Sequence, residues 1–308
     1  VEKSTNTDSQ QTNAFWLATA LVVANFFYGT NVIAVKYISP RLMDPFALTF
    51  TRLLVSAIVL LILPLFSKTK ETIRGKDLQL VILAGLLGMT GNQLFSIKGI
   101  SATNPIHASL LIMSTPIIVS LLAAIFLKEK FGWNRIGGLA MGLSGAILLI
   151  ATRKQSTSAH APTLTGDLFI LGGSVCYSSY LVLIRSISQR YKPMTILRYA
   201  FAFGAAFSIP ISYDEFLAID WKQFDGYDWF SLAYIVITGT LLANILMNWG
   251  VMKWGPSRTG SFIYFQPFFG TAGAILLMNE SLTIWKLIAG ALIISGVWLN
   301  SLKTKTAS

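Results

Sequence analysis

The sequence predicts an all-α integral membrane protein. It has ten transmembrane helices, arranged as two inverted five-helix repeats with both termini cytoplasmic. Three observations predict it. The chain of 308 residues is 54% hydrophobic and only 12% charged, where a soluble domain carries about 25% charged residues. Its mean hydropathy is +0.62, more apolar surface than a soluble core can use, so the bilayer is the expected solvent. The second half of the chain also repeats the first at a nearly constant offset.

In chain order, residues 1–14 are polar and are expected to form a disordered arm. The apolar run that follows is too long for a signal peptide and carries no small-residue cleavage site, so it is read as a span. Runs near the ~20 residues needed to cross the hydrocarbon lie at 15–37, 45–66, 78–97, 104–127, 133–151, 168–188, 194–212, 229–252, 256–278 and 284–302. The longer connections are 152–167, read as an external linker, and 213–228. Residues 303–308 form a basic tail. The net charge of +11 could suggest nucleic acid, but the basic residues cluster in short loops, as membrane topology requires. Lys68, Lys70, Arg74, Lys76, Lys128, Lys130, Arg135, Arg190 and Lys192 all fall in loops on the side of the N-terminus. The 213–228 connection is acidic and falls on the other side. The lone Cys176 excludes an intramolecular disulfide and a multi-cysteine metal site.

The repeat explains the charges. Asp77 matches Asp228, Gly88 matches Gly239, Pro105 matches Pro256, Pro116 matches Pro267 and Glu129 matches Glu280, each shifted by 151 positions. Earlier in the chain the shift is slightly smaller: "YGTNVIAVKY" from Tyr28 aligns with "YSSYLVLIRS" from Tyr177, and Pro45 and Pro193 open the second span of each half. Five spans per copy force the second copy to enter the membrane inverted. "LKEKFGWNR" accordingly becomes "MNESLTIWK": similarity persists while loop charge is lost. Inverted-topology repeats are a building plan of secondary transporters. The two units are therefore 15–151 and 168–302.

Two such five-span repeats resemble the EamA family of the drug/metabolite transporter superfamily. The resembling stretches are "YGTNVIAVKY", Arg52, "NPIHASLLIMSTPIIVSLLAAIFLKEKFGWNRIGGLAMGLSGAILL" and "GPSRTGSFIYFQPFFGTAGAILLMNES". The resemblance implies a ten-helix carrier. Spans 1–4 and 6–9 surround a central path and spans 5 and 10 lie outside it. It also implies a cell (inner) membrane and export of amino acids, nucleobases, drugs or other metabolites.

Polar residues inside a bilayer are costly and tend to face a cavity or another helix. The cavity candidates are Asn25, Tyr28 and Asn31 in the first span, and Thr90, Asn92, Gln93 and Ser96 in the third. The sixth span adds Tyr177 and Tyr180, the eighth Asn244 and Asn248, and the ninth Tyr264 and Gln266. Asn25, Tyr28 and Asn31 follow at three-residue spacing, which keeps neighbours on one helix face. Amides and tyrosines between aromatic walls suit an amphipathic small molecule; interhelical hydrogen bonding is the competing reading. Lys36, Arg52, Arg185 and Arg198 lie within a turn or two of span ends. They either snorkel to headgroups or act on cargo and gating, where Arg suits bidentate carboxylate binding. Glu129 and Glu280 end their spans as loop partners or gating charges. Pro116 and Pro267 remove a backbone donor, so each marks a hinge or a packing kink. His107 opens the fourth span and is read as interfacial, with a proton relay as the other reading.

The function expected is movement of small organic metabolites, amino acids among them, by alternating access around a central cavity. A channel-like pore and a membrane-embedded lipid-modifying enzyme are the alternatives. The enzyme would need clustered carboxylates, histidines or a metal at the membrane face. No phosphate-binding loop is present for an ATP-driven pump. No cofactor or metal is expected, and no nucleic acid; the partners are the cargo and the lipid bilayer, with monomer and homodimer both open. No Asp or Glu falls inside a predicted span, so cargo is expected to run down its own gradient without obligatory proton exchange.

Overall fold

The structure, a computed structural model, describes residues 2–63, 71–127, 133–152, 163–187, 190–279 and 282–301. The described residues are helical with short connections. In the first repeat the helices are α1 (Glu2–Ile38), α2 (Pro45–Ile62), α3 (Lys76–Ala84), α4 (Asn92–Ala102), α5 (Pro105–Ile112), α6 (Thr115–Leu127) and α7 (Trp133–Ala151). The second repeat follows with α8 (Leu164–Arg185), α9 (Pro193–Leu217), α10 (Gly226–Val236), α11 (Ala243–Gly260), α12 (Phe265–Met278) and α13 (Ile284–Ser301). Six stretches are long and apolar enough to cross a membrane, and four shorter apolar helices complete ten. We call the face where α1 ends and α2 begins the upper face, and the opposite one the lower.

Helix starts follow local chemistry. Asp44 accepts the Phe46 N–H and Pro45 opens α2. Asn104 accepts the His107 N–H and Pro105 opens α5. At α10, Asp225 and Asp228 cap one another's backbone reciprocally. Each device satisfies orphan N–H groups at a helix end.

The repeat extends to backbone irregularities. Between α3 and α4 lies a π-helical segment, Gly85–Gly91, and between α10 and α11 another, Ile237–Leu242. Their glycines, Gly88 and Gly239, are 151 positions apart. The fourth span breaks between α5 and α6 just ahead of Pro116, and a 3-10 segment, Ser261–Tyr264, stands just ahead of Pro267. A proline cannot donate to the preceding turn, so the helix is interrupted there rather than smoothly kinked.

Several expected boundaries change. Residues 2–14 continue α1 as helix instead of standing apart as an arm. The third and seventh spans run on to Ala102 and Leu217, so that part of the acidic 213–228 connection is helical. Helical pairing also continues through the expected loop between the eighth and ninth spans. The helix does not run straight there: a Cβ on Gly250 would meet the Thr259 side chain, whereas residues nine apart in a straight helix are separated by about 13.5 Å.

Packing crosses the repeats. Helix α1 lies along α11 and α12 of the second repeat, α8 lies along α4 and α6 of the first, and α2 crosses α9. Helices α7 and α13 pair with one another. Gly145 sits against Ala289 and Ile293, and Gly296 against Gly138 and Gly142, a reciprocal contact between small residues. Outward faces are apolar: Leu276 is 78% exposed and Phe126 71%, surface that requires lipid rather than water.

One continuous apolar cluster fills the upper half, including Val35, Ile38, Leu48, Ile97, Ile100 and Leu232. The lower half divides. Leu53, Val81, Ile184, Leu197 and Phe201 pack in one cluster, and Leu21, Ala24, Met247 and Ile263 in another.

Candidate functional site

A cavity of about 110 Å³ lies between these three clusters. It is capped above by the single cluster, while below its walls belong to the two separate ones. The crossed packing builds it: α1 contributes Tyr28 and Asn31, α4 contributes Asn92, Gln93 and Ser96, α8 contributes Tyr177, α11 contributes Asn244, and α12 contributes Gln266.

Arg52 of α2 also lines the cavity. It is 3% exposed and its Nε donates to Thr240 Oγ1 at 2.8 Å. Thr240 in turn donates to Ile235 O at 3.0 Å, in the π-helical register. No acidic side chain pairs with Arg52 among the described residues. The Asn31 Oδ1 is buried without a hydrogen-bond partner among them. The wall thus presents a cation and an orphan acceptor.

Other candidates are placed behind this wall. Asn25 donates to Leu21 O at 2.7 Å and accepts from Gln266 Nε2 at 3.1 Å, so it positions Gln266. Thr90 donates to Gly204 O at 2.7 Å, joining the third span to α9. Asn248 donates to Asn244 O at 2.9 Å. Tyr180 is fully buried against Gly88, its ring 5.8 Å from that of Tyr177. The side chain of Tyr264, and Glu129 and Glu280, lie outside the described residues.

The charge candidates disperse. Lys36 Nζ donates to Ser101 O at 2.7 Å. Arg198 donates to Glu71 O at 2.8 Å and lies over the Tyr199 ring. Arg185 is exposed in the last turn of α8. Pro267 is buried near the start of α12, and Pro116 is half-buried at the start of α6.

Three titratable residues at helix starts are buried in the protein. His107 is 1% exposed, its Nδ1 3.4 Å from Asp167 Oδ1. Carboxylates also enter the helical core, since Asp167 is 0% and Asp228 2% exposed. Both fall in the first turn of their helices, where sequence places them at an edge. Sequence reasoning also missed Thr115, Ser174, Thr240, Ile97, Ile100, Met247 and Ile263. A hydroxyl or aliphatic residue inside an apolar run carries no signal of which face it takes.

Two ties join the repeats at opposite faces. Arg41 pairs with Asp228 above, and Arg190 with Asp77 at 3.0 Å below. Each Arg also donates to the carbonyl four residues before it, Tyr37 O and Ser186 O. At the lower tie the Tyr191 hydroxyl donates to Asp77 Oδ2 at 3.0 Å. This bond is the main cause raising the Tyr191 pKa above the usual tyrosine value, with desolvation and the Asp77 charge adding and Arg190 opposing.

The model of the EamA-like transporter family matches residues 15–151 and 164–302. The uncharacterized transporter YyaM of Bacillus subtilis is 25% identical, with 79% of this chain and 80% of that protein covered. A probable terminal-alkyne amino-acid exporter of Streptantibioticus cattleyicolor is 28% identical over 75% of each chain. A solved crystal structure superposes with a TM-score of 0.64 at 20% identity, covering 92% of this chain and 95% of its own, which shows likeness of fold. With two family-matched halves, ten apolar helices and a cavity between crossed repeats, the chain belongs to the EamA-like transporter family.

Proposed function

We propose that this protein is a secondary transporter that exports small carboxylate-bearing metabolites, amino acids among them, by alternating access through the cell membrane. Arg52 holds the carboxylate. The observation that carries this reading is a buried guanidinium on the cavity wall whose described side-chain partner is a threonine hydroxyl. A buried charge without a counter-charge is costly, and an anionic cargo supplies the missing partner through charge-assisted, often bidentate hydrogen bonds. Asn31 Oδ1 accepts from an amino or amide group of the same cargo, and Tyr28 and Tyr177 supply amphipathic wall. Basic residues clustered in the loops on the side of the N-terminus support a cytoplasmic lower face and cytoplasmic termini. The capped upper face corresponds to a state open toward the inside.

The test is a thermal-shift screen of purified protein against amino acids, simple carboxylates and the corresponding amino-acid amides. Binding stabilises by mass action. Carboxylates are expected to raise the unfolding temperature, amides to lose most of the rise, and Arg52→Met to lose it altogether while eluting as a folded monodisperse species. Equal stabilisation by acid and amide would remove Arg52 from cargo recognition.

A further inference from the structure

The cavity wall changes character with depth. Arg52 lies about two turns below the start of α2 at Pro45, and Asn31 about two turns below the end of α1 at Ile38, so the two polar groups share a level. Lys36 Nζ donates to Ser101 O at 2.7 Å, which brings the end of α4 to the upper face beside the end of α1. Ile97 and Ile100 lie within about a turn and a half of that end, above the level of Arg52. Together with Val32, the residue after Asn31, they roof the cavity. All three are buried, Ile97 completely, and all belong to the upper apolar cluster. The Ser96 hydroxyl turns aside from this roof: its Oγ lies against Gly173 of α8 and accepts from Asn92 Nδ2 at 3.4 Å. Lower down, the wall carries Tyr28, Asn92 and Tyr177. The repeat does not dictate an aliphatic roof, since the position matching Ile97 is Asn248.

We propose that Val32, Ile97 and Ile100 form a side-chain subsite that selects amino acids with a short aliphatic group. The inference rests on the reading of Arg52 as the carboxylate site. With the carboxylate on Arg52 and the amino group on Asn31 Oδ1, a side chain directed upward meets these three aliphatic residues. Burying an apolar group there is favourable. A hydroxyl or an ammonium group in the same place gives up water without gaining a partner. Size sets the second limit. The cavity of about 110 Å³ is smaller than the ~150 Å³ apolar cavity that accommodates benzene. An aromatic amino acid adds a carboxylate and an amino group to such a ring, so it does not fit without displacing the roof. A branched three-carbon side chain fills the subsite and keeps both polar groups at the level of Arg52 and Asn31.

The experiment titrates the purified full-length protein in detergent with valine, threonine, lysine and phenylalanine, and with valine amide. Apparent Kd is read from the rise in unfolding temperature. Valine is expected to bind tightest, with threonine, lysine and phenylalanine each weaker by about tenfold or more, the worth of a methylene or a hydroxyl in an apolar pocket. Any of the three binding as tightly as valine overturns the subsite. Ile97→Ala enlarges the roof and should lower the ratio of the phenylalanine Kd to the valine Kd by about tenfold. A loss of stability common to both ligands cancels in that ratio. Ile100→Ala is the second variant, and the wild-type panel decides the proposal even where neither variant folds. An unchanged ratio in a folded variant overturns the subsite and leaves Arg52 as the carboxylate site. Valine and its amide stabilising equally, or none of the four amino acids stabilising at all, overturns the carboxylate reading and the subsite with it.

Discussion

The two repeats share a backbone device and differ in what they place on it. In each, the third span carries a π-helical segment whose glycine receives a side chain from the first helix of the other repeat. Gly239 receives Asn31, and Gly88 receives Tyr180. Asn31 and Tyr180 are themselves matching positions, 149 apart. Both side-chain oxygens are buried without a hydrogen-bond partner among the described residues, but the asparagine lines the cavity whereas the tyrosine is fully buried behind it. A π-bulge places an extra residue in one turn and often marks a functional site. Here the repeat keeps the bulge for packing on both sides, and a single substitution makes one of them chemical.

The sharpest difference between the halves is at Gly29 and its match, Ser178. A Cβ on Gly29 would press on the backbone of Gln266 and Gly270, so α12 cannot relax by turning a side chain. Ser178 has room for a hydroxyl that donates to Ser174 O at 2.6 Å. Gly29→Val is expected to remove folded protein from the membrane, overpacking beyond the ~1–3 kcal/mol of a flexible core site. Ser178→Gly should stay folded, at a cost of about 1 kcal/mol for glycine in a helix. Fluorescence-detected gel filtration of both variants checks this; normal elution of Gly29→Val would mean the two contacts are equivalent after all.

The ties differ next. Asp228 is nearly inaccessible, pairs with Arg41 and also closes the cap of α10 by accepting the Asp225 N–H at 3.1 Å. Asp77 is more exposed, and both arginines are about half exposed. Surface-screened pairs contribute roughly 0–1 kcal/mol, whereas losing a cap and a buried hydrogen bond costs on the order of 2 kcal/mol. Asp228→Asn should therefore lower thermal stability clearly and Asp77→Asn only slightly. A reversed order would show that the lower tie holds the repeats together.

At the bulges, Asn31→Leu should weaken cargo binding about tenfold, the worth of one hydrogen bond of about 1.4 kcal/mol. Tyr180→Phe should leave binding within about twofold, since its ring already fills the Gly88 seat. Titration of the stabilising ligand from the thermal-shift screen compares them. Equal losses would make Asn31 a packing residue like its counterpart.

How much of this was legible follows from the physics of each signal. Apolar runs and the 151-residue offset are additive over many residues, so the helical membrane architecture and the presence of two repeats could be read directly. The three-residue spacing of Tyr28 and Asn31 places both on the face that reaches the cavity. The same spacing does not tell Asn25 from them, because Asn25 faces Gln266 and Met247 one turn lower. Burial of Asp167 was illegible because its depth depends on where α4, α5 and α8 meet, not on its distance from a loop. The π segments leave no periodicity of their own; only their matched glycines hint at them.

The smallest expected difference is at Tyr191, present at the lower tie where the matching upper position is Leu42. The bond to Asp77 raises the folded-state pKa of this phenol. A group that holds its proton more tightly when folded adds stability that is complete below its unfolded pKa, about 10 for tyrosine. That contribution is lost as pH rises through the raised folded value. Wild type should therefore exceed Tyr191→Phe in unfolding temperature by a constant small margin up to about pH 9, with the margin shrinking above pH 10. Other alkaline effects are common to both proteins and cancel in the comparison. The upper tie has leucine at this position, so Leu42→Ala should change stability by an amount that does not vary with pH. If the Tyr191 margin persists undiminished through the alkaline range, the ring packs at the lower face and its hydroxyl contributes nothing to the tie.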